Sequence, residues 1–273
     1  MQIEGWKYYN HAAIPTTAPH QSANMEPLNN GSVWLIGDCV LLARWTSDWD
    51  CGYKTNWWYV IKDTPFDIRA LKAKRRYEIN KGNKNFIVRK INPIEHRHQL
   101  YEVTIAAYSS WPEKYRPSID KESFFRNTED WLRLDVFAGF SNEKGKLSGY
   151  ALLKDYGSYV DFSTLRVDPE CEKQAINAAM VAGILEQYKD RFNGQFYICD
   201  GARSIRHETA FQDYLEKYFD FRKAYCKLNI KYKTVFGILV NLLYPFRKFI
   251  KAESRLGSNI SGILQMEEIN RNS

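Results

Sequence analysis

The chain has 273 residues and a mass of 32.1 kDa, enough for one extended core with additions or for two small ones. Its 44% hydrophobic and 26% charged residues exclude a largely disordered chain. A net charge of +7 and a pI near 9.0 favour an anionic partner, be it a phosphate-bearing cofactor, a nucleic acid or an acidic membrane surface, and charge alone does not choose among them.

Residues 1–30 read as an irregular arm. Apolar stretches at Val33–Arg44 and Trp57–Ile61 predict strands, with a polar-aromatic loop, Trp45 to Gly52, between them. Asp67 is an expected N-cap for a helix over Ile68–Asn80, stopped by Gly82 and basic on its outer surface. Phe86–Ile91 predicts a strand, Pro93 the start of a helix through Leu100, Val103 and Ala107, and Lys121–Leu132 a second helix. Asp135–Phe140 and Leu147–Leu153 flank a turn and predict an antiparallel hairpin, to which Tyr159–Val167 adds a third strand.

Asp168-Pro169 breaks that strand, and Glu172–Tyr188 predicts a long helix with Ile176, Ala179, Met180, Ile184 and Leu185 on its buried stripe. Gln195–Cys199, Ile205–Lys217 and Phe221–Tyr232 then predict strand, helix and strand. A crossover helix between Tyr159–Val167 and Gln195–Cys199 makes those two strands parallel. The fold class expected is α+β, a mixed central sheet flanked by helices. Its expected parts are an N-terminal extension or partial first transferase subdomain (1–85), a transferase core (86–232), and an amphipathic basic C-terminal segment (233–273).

From Phe86 to Tyr232 the order β, α, α, β, β, β, α, β, α, β resembles that of the GNAT (N-acyltransferase) superfamily. Val167-Asp168-Pro169 is similar to that family's strand-to-helix junction, and Ala210-Phe211 through Tyr214, Glu216, Lys217 and Phe221 to its closing stretch. The resemblance implies an N-acyltransferase with acetyl-CoA or another acyl-CoA as co-substrate, held by Leu165, Val167, Lys173, Gln174 and Ala175. Holding a pyrophosphate at a helix N-terminus calls for close backbone approach, and Glu172 to Asn177 contains no glycine and begins with a carboxylate. Lys74 to Gly82 resembles a basic stretch before the core of the Fem-type aminoacyltransferases, a branch that takes its acyl group from aminoacyl-tRNA.

Acyl transfer to an amine needs a base, a holder for the carbonyl and an acid for the leaving group. Strand alternation places Tyr159, Asp161 and Ser163 on one face, making Asp161 a candidate base or amine-orienting carboxylate; a solvent-facing edge aspartate is the plainer reading. Tyr214 stands where the family often carries a tyrosine acid, and an ordinary amphipathic-helix tyrosine explains it as well. Trp45, Trp49 and Asp50 form a candidate sugar platform, although tryptophans more often fill a core. Arg75, Arg76 and Lys81 are candidates for a diphosphate or a tRNA backbone, or simply a solvated face.

Five dispersed cysteines without a C-x-x-C pair support neither a disulfide framework nor a zinc site, and read as thiols of a reducing compartment. His96 and His98 fall on different helix faces and His207-Glu208 lacks a second histidine, so no metal is expected. The first residues lack an apolar signal core, and the apolar run Val235–Phe246, bounded by Lys231, Lys233, Arg247, Lys248 and Lys251, is too short to span a bilayer. That run reads either as an interfacial anchor or as a helix docked on the protein's own surface. The expectation is a cytoplasmic protein, peripheral to the membrane under the anchor reading. It acts on an amino group of a sugar or lipid-linked glycan precursor, with aminoacyl-tRNA as alternative donor and a non-catalytic binding module as a further alternative.

Overall fold

The computed structural model describes residues 3–111, 113, 116–205, 210–250 and 254–272. In chain order the strands are β1 (Trp6–Tyr9), β2 (Ala12–Pro15), β3 (Leu42–Ser47), β4 (Trp57–Lys62), β5 (Phe86–Lys90), β6 (Asp135–Ser141), β7 (Leu147–Asp155), β8 (Tyr159–Val167), β9 (Tyr197–Ala202) and β10 (Arg222–Tyr232). The helices are α1 (Glu26–Asn29), α2 (Ala73–Asn85), α3 (Arg97–Ser109), α4 (Lys121–Asp130), α5 (Ile176–Gln187), α6 (Ala210–Phe219), α7 (Thr234–Leu243) and α8 (Arg255–Arg271). The fold class is α+β, as expected, and the chain divides into two compact units: Met1–Tyr59, Ala202–Thr209 and Lys223–Ser273 form the first, Val60–Gly201 and Ala210–Arg222 the second.

In the first unit β1 pairs antiparallel with β2, β2 parallel with β3, and β3 antiparallel with β10 from Leu42↔Tyr232 to Ser47↔Lys227. Trp6, Ala13, Leu28, Val33, Ile36, Val40 and Ala43 make one core cluster. The predicted strand Val33–Arg44 is corrected here: Ser32–Leu35 is a 3₁₀ turn and strand structure begins at Leu42. Val33, Ile36 and Val40 are buried because the turn folds them inward, while Leu35 faces out, and a run of apolar letters does not distinguish this from a strand.

In the second unit β5, β6, β7 and β8 run antiparallel in that order, and β9 joins β8 in parallel, the orientation the crossover rule predicted. β7 is buried without interruption from Leu147 to Leu153, as a central strand covered on both faces should be. On one face Tyr150 shares a buried 2.7 Å hydrogen bond with Thr104 of α3. On the other face α5, with eight of its residues buried, lies close enough that a Cβ at Gly139 would meet Met180 Sδ at 2.7 Å.

Three helix boundaries differ from expectation. Asp67 does act as a cap, accepting from Arg69 N at 2.9 Å, but of a 3₁₀ turn over Ile68–Ala70, and the helix runs from Ala73 to Asn85 straight through Gly82. The segment after Pro169 is 3₁₀ as far as Gln174, and the α-helix starts only at Ile176, because Ala175 takes a left-handed conformation with φ 65°. The helix expected from Pro93 begins at Arg97. The start of the helix expected over Ile205–Lys217 falls on residues 206–209, outside the described residues.

Gly82 remains inside α2 because of what lies opposite: a Cβ there would sit 2.5 Å from the Ala175 carbonyl oxygen and 2.9 Å from Ala179 N. Both neighbours are backbone and cannot rotate away. Gly82→Ala gains about 1 kcal/mol of helix propensity against a larger overpacking cost, giving an expected net loss of about 1–2 kcal/mol. Urea unfolding of this variant beside Lys84→Ala, which is exposed, checks it; equal midpoints would dismiss the close approach.

Candidate functional site

The second unit's site is built where β8 and β9 part. They pair over Tyr159↔Tyr197, Val160↔Ile198 and Asp161↔Cys199, while β8 continues to Val167. Among the described residues no strand pairs with that edge of β8 beyond Asp161. Backbone N–H and C=O groups on such an edge are free to bind a ligand.

A bulge sits on the same stretch. Leu152 pairs with Thr164 but Leu153 with Phe162, so Ser163 is the extra residue, and its hydroxyl donates to Leu152 O at 3.0 Å. The predicted sharing of one face by Asp161 and Ser163 is therefore corrected: the bulge interrupts the alternation and spends Ser163 on the neighbouring strand. Asp161 stays half-buried at the last paired position, opposite Lys154 on its β7 side.

Asp200, next along β9, was not singled out from sequence. Burial raises its carboxyl pKa to about 7, a Gln212 hydrogen bond from α6 partly offsets that rise, and the negative charge of Asp161 adds to it. A carboxyl poised there exchanges a proton at neutral pH. The available signal was positional: an apolar strand running into Asp200-Gly201 at its C-terminal end, where sheets with parallel strands place their ligands.

Tyr214 lies half-buried on α6 against Phe211, Tyr218 and Phe219, with ring centroids 4.9 to 6.2 Å away. Burial first, then the charge of Glu78 and the phenol of Tyr218, raises its pKa, so it keeps its proton at neutral pH. Leu165 and Val167 lie on the unpaired stretch of β8, Val167 buried and Leu165 half-buried. Lys173 and Gln174 are exposed, whereas Ala175 is only 3% exposed.

The start of α5 is closed by α2. Besides Gly82 against the Ala175 carbonyl, the Asn85 amide donates to Gln174 O at 3.2 Å. Backbone donors at a helix start bind a pyrophosphate only where the anion reaches them, and here α2 packs against that turn. Of the basic residues on α2, Arg76 donates to the carbonyls of Leu71 and Arg69, Arg75 lies 5.9 Å from the Tyr218 ring, and Lys81 is half-buried.

Trp45, Trp49 and Asp50 belong to the first unit. Trp45 packs edge-on to Trp6 at 6.4 Å, and Trp49 lies 5.3 Å from Tyr59 and 6.4 Å from His20, so both indoles are engaged by their own unit. Asp50 is exposed in a left-handed turn, φ 49°. His207 and Glu208 lie outside the described residues. Among the described residues no cluster of His, Cys, Asp or Glu could hold a metal ion, and no helix is long and apolar enough to cross a membrane.

No family model matches the chain, and no curated protein matches it in sequence. Solved structures do. The C-terminal domain of a protein assigned as a lysylphosphatidylglycerol synthetase in Agrobacterium fabrum is similar with a TM-score of 0.51 and 10% identity, over 86% of this chain and 82% of that one. The structure of L-PGS from Bacillus licheniformis is similar with a TM-score of 0.50 and 11% identity, over 97% and 85%. The PaiA N-acetyltransferase of Thermoplasma acidophilum, in complex with coenzyme A, matches 39% of this chain and 73% of its own with a TM-score of 0.31 and 19% identity. The likeness to the two synthetase structures extends over most of this chain and shows a shared α+β fold, a mixed sheet flanked by helices.

The raised pKa of Asp200 has a direct consequence for stability. A carboxyl whose pKa is higher folded than unfolded contributes stability present below about pH 4, where both states are protonated, and lost as pH rises through about 7. Asp200→Asn removes the cost of the buried charge, so it should match the wild type near pH 4 and exceed it at pH 8 by up to roughly 3 kcal/mol. Urea unfolding at both pH values reads this; a difference that does not change with pH would contradict it.

Proposed function

We propose that this protein is an acyltransferase that forms an amide on an amino acceptor, and that its donor is an aminoacyl ester of tRNA rather than acyl-CoA. The observation that carries the choice of donor is the closed start of α5. Ala175 is buried and its carbonyl lies against Gly82, so the turn from which a GNAT enzyme would hold a pyrophosphate is packed into the protein. A tRNA ester has no such requirement. The basic face of α2, including Lys74, Arg75 and Lys81, then serves the phosphate backbone of the donor.

The chemistry follows from the parting of β8 and β9. The unpaired edge of β8 beyond Asp161 supplies N–H groups to the donor's carbonyl oxygen, which gains negative charge as the amine attacks. Asp161 draws in the acceptor as an ammonium, and Asp200, ionised in the active fraction, takes the first of the two protons that its nitrogen must lose, freeing the amine to attack. The C–N bond forms and the ester C–O bond breaks; the departing ribose oxygen takes a proton from Tyr214, whose raised pKa keeps that proton in place until it is needed, and the phenolate so formed takes the nitrogen's second proton. The acceptor we favour is an amino group on a sugar or glycan precursor.

Two measurements test this reading. A ligand that binds only the folded protein raises its melting midpoint. Aminoacyl-tRNA is expected to do so, with a response that weakens steeply with salt, while acetyl-CoA and desulfo-coenzyme A leave the midpoint unchanged; a shift specific to acetyl-CoA would reverse the choice of donor, and silence from all of them would favour a binding module. In single-turnover transfer, Asp200→Asn should slow the reaction by about 10²–10⁴-fold. Asp161→Asn should in addition move the acidic limb of the pH–rate profile to lower pH, because it removes the charge that helps raise Asp200. An unmoved limb would take Asp200 out of the mechanism.

A further inference from the structure

Helix α7 is apolar on both faces. Its inner side, Phe236, Gly237 and Val240, is turned inward: Val240 is 3% exposed and Phe236 packs on Tyr232. The outer side carries Val235, Ile238, Leu239, Leu242 and Leu243, continued by Phe246 and Phe249 after the helix, and all seven are exposed, Val235 to 72% and Phe249 to 81%. Their spacing of three and four residues gathers them along one stripe. Seven large apolar side chains in a contiguous stripe exceed what an ordinary water-facing surface carries, so something covers it.

The surrounding charge selects what. Between Asp220 and Glu253 the sequence has eight Lys or Arg and no Asp or Glu. Lys233 stands at the start of α7, and Arg247 and Lys248 stand beyond its end. Helix α8 packs against α7 and carries two carboxylates that are both engaged: Glu267 with Arg271 and the Tyr232 hydroxyl, Glu268 with Arg247. An apolar stripe flanked by cations at both ends complements a bilayer with anionic headgroups, apolar side chains entering the acyl boundary while lysines stay at headgroup level.

We infer that the outer face of α7, with Phe246 and Phe249, seats the protein on an anionic lipid surface. This rests on α7 alone and is independent of which donor the second unit uses. The experiment is flotation of the purified full chain with vesicles of phosphatidylcholine, with and without a 30% share of phosphatidylglycerol (a share of roughly that size gives an appreciably negative surface), alongside sedimentation velocity without lipid. Co-flotation is expected with the anionic vesicles and little of it with the neutral ones. Leu242→Glu with Phe246→Glu should reduce it by at least about tenfold, and Lys233→Glu with Lys248→Glu should also weaken it, both variants keeping the wild-type melting midpoint and tRNA response. Failure to float with either vesicle, or equal flotation with both, overturns the inference. So does a dimer in solution that Leu242→Glu with Phe246→Glu dissolves, which would make a second copy the cover.

Discussion

The approach of α2 to the first turn of α5 is the constraint on which the packing of the second unit depends. It is possible only because position 82 has no side chain: with any Cβ, α2 would be held off the Ala175 carbonyl. Two amides reinforce it, Asn85 on the Gln174 carbonyl and Asn142, from the turn after β6, on the Lys84 carbonyl at 2.7 Å. Ala175 meanwhile holds a left-handed conformation, which costs an alanine on the order of 1 kcal/mol. That cost is borne by a residue buried at the junction rather than by a loop open to ligand.

A second consequence lies across the sheet. With α5 fixed against β5, β6 and β7 on one face and α3 on the other, β8 is held by β7 along its whole length, yet by β9 over only three residues. The bulge at Ser163 falls within the stretch that β9 has left. Electrostatics then acts on what is gathered at the fork: two carboxylates close enough to sense each other, one of them buried enough to titrate near neutrality. Fold likeness at about one residue in ten identical speaks to architecture, and function has to be argued from this fork.

Much of the fold was legible because its signals are local. The hairpin of β6 and β7, strand β8 and the parallel placement of β9 follow from alternation, a turn and a crossover, none of which needs knowledge of distant partners. The misread elements depended on tertiary contacts. Gly82 looks like a helix terminator in a linear reading and is a packing residue, because the atom it must avoid belongs to a residue ninety-three positions later. Val33 to Val40 look like a strand and form a folded turn whose apolar side chains share a core with Trp6 and Leu28. Alternation broke at the bulge beside Asp161, and Asp200 could not be graded from sequence, since its protonation depends on burial and on the neighbouring strand.

The pairing of β3 with β10 bears on how the chain matures during synthesis. Ser47 leaves the ribosome about 180 residues before its partner Lys227, so the pairing of β3 with β10 waits for all the chain between them. The sheet of β5 to β9 needs nothing beyond Ala202. Vectorial synthesis thus favours early pairing of β5 to β9 and late pairing of β3 with β10, with β3 lacking that partner in the interval. A stretch so exposed is a natural client for a holding chaperone, and slowing translation would lengthen its vulnerability rather than relieve it.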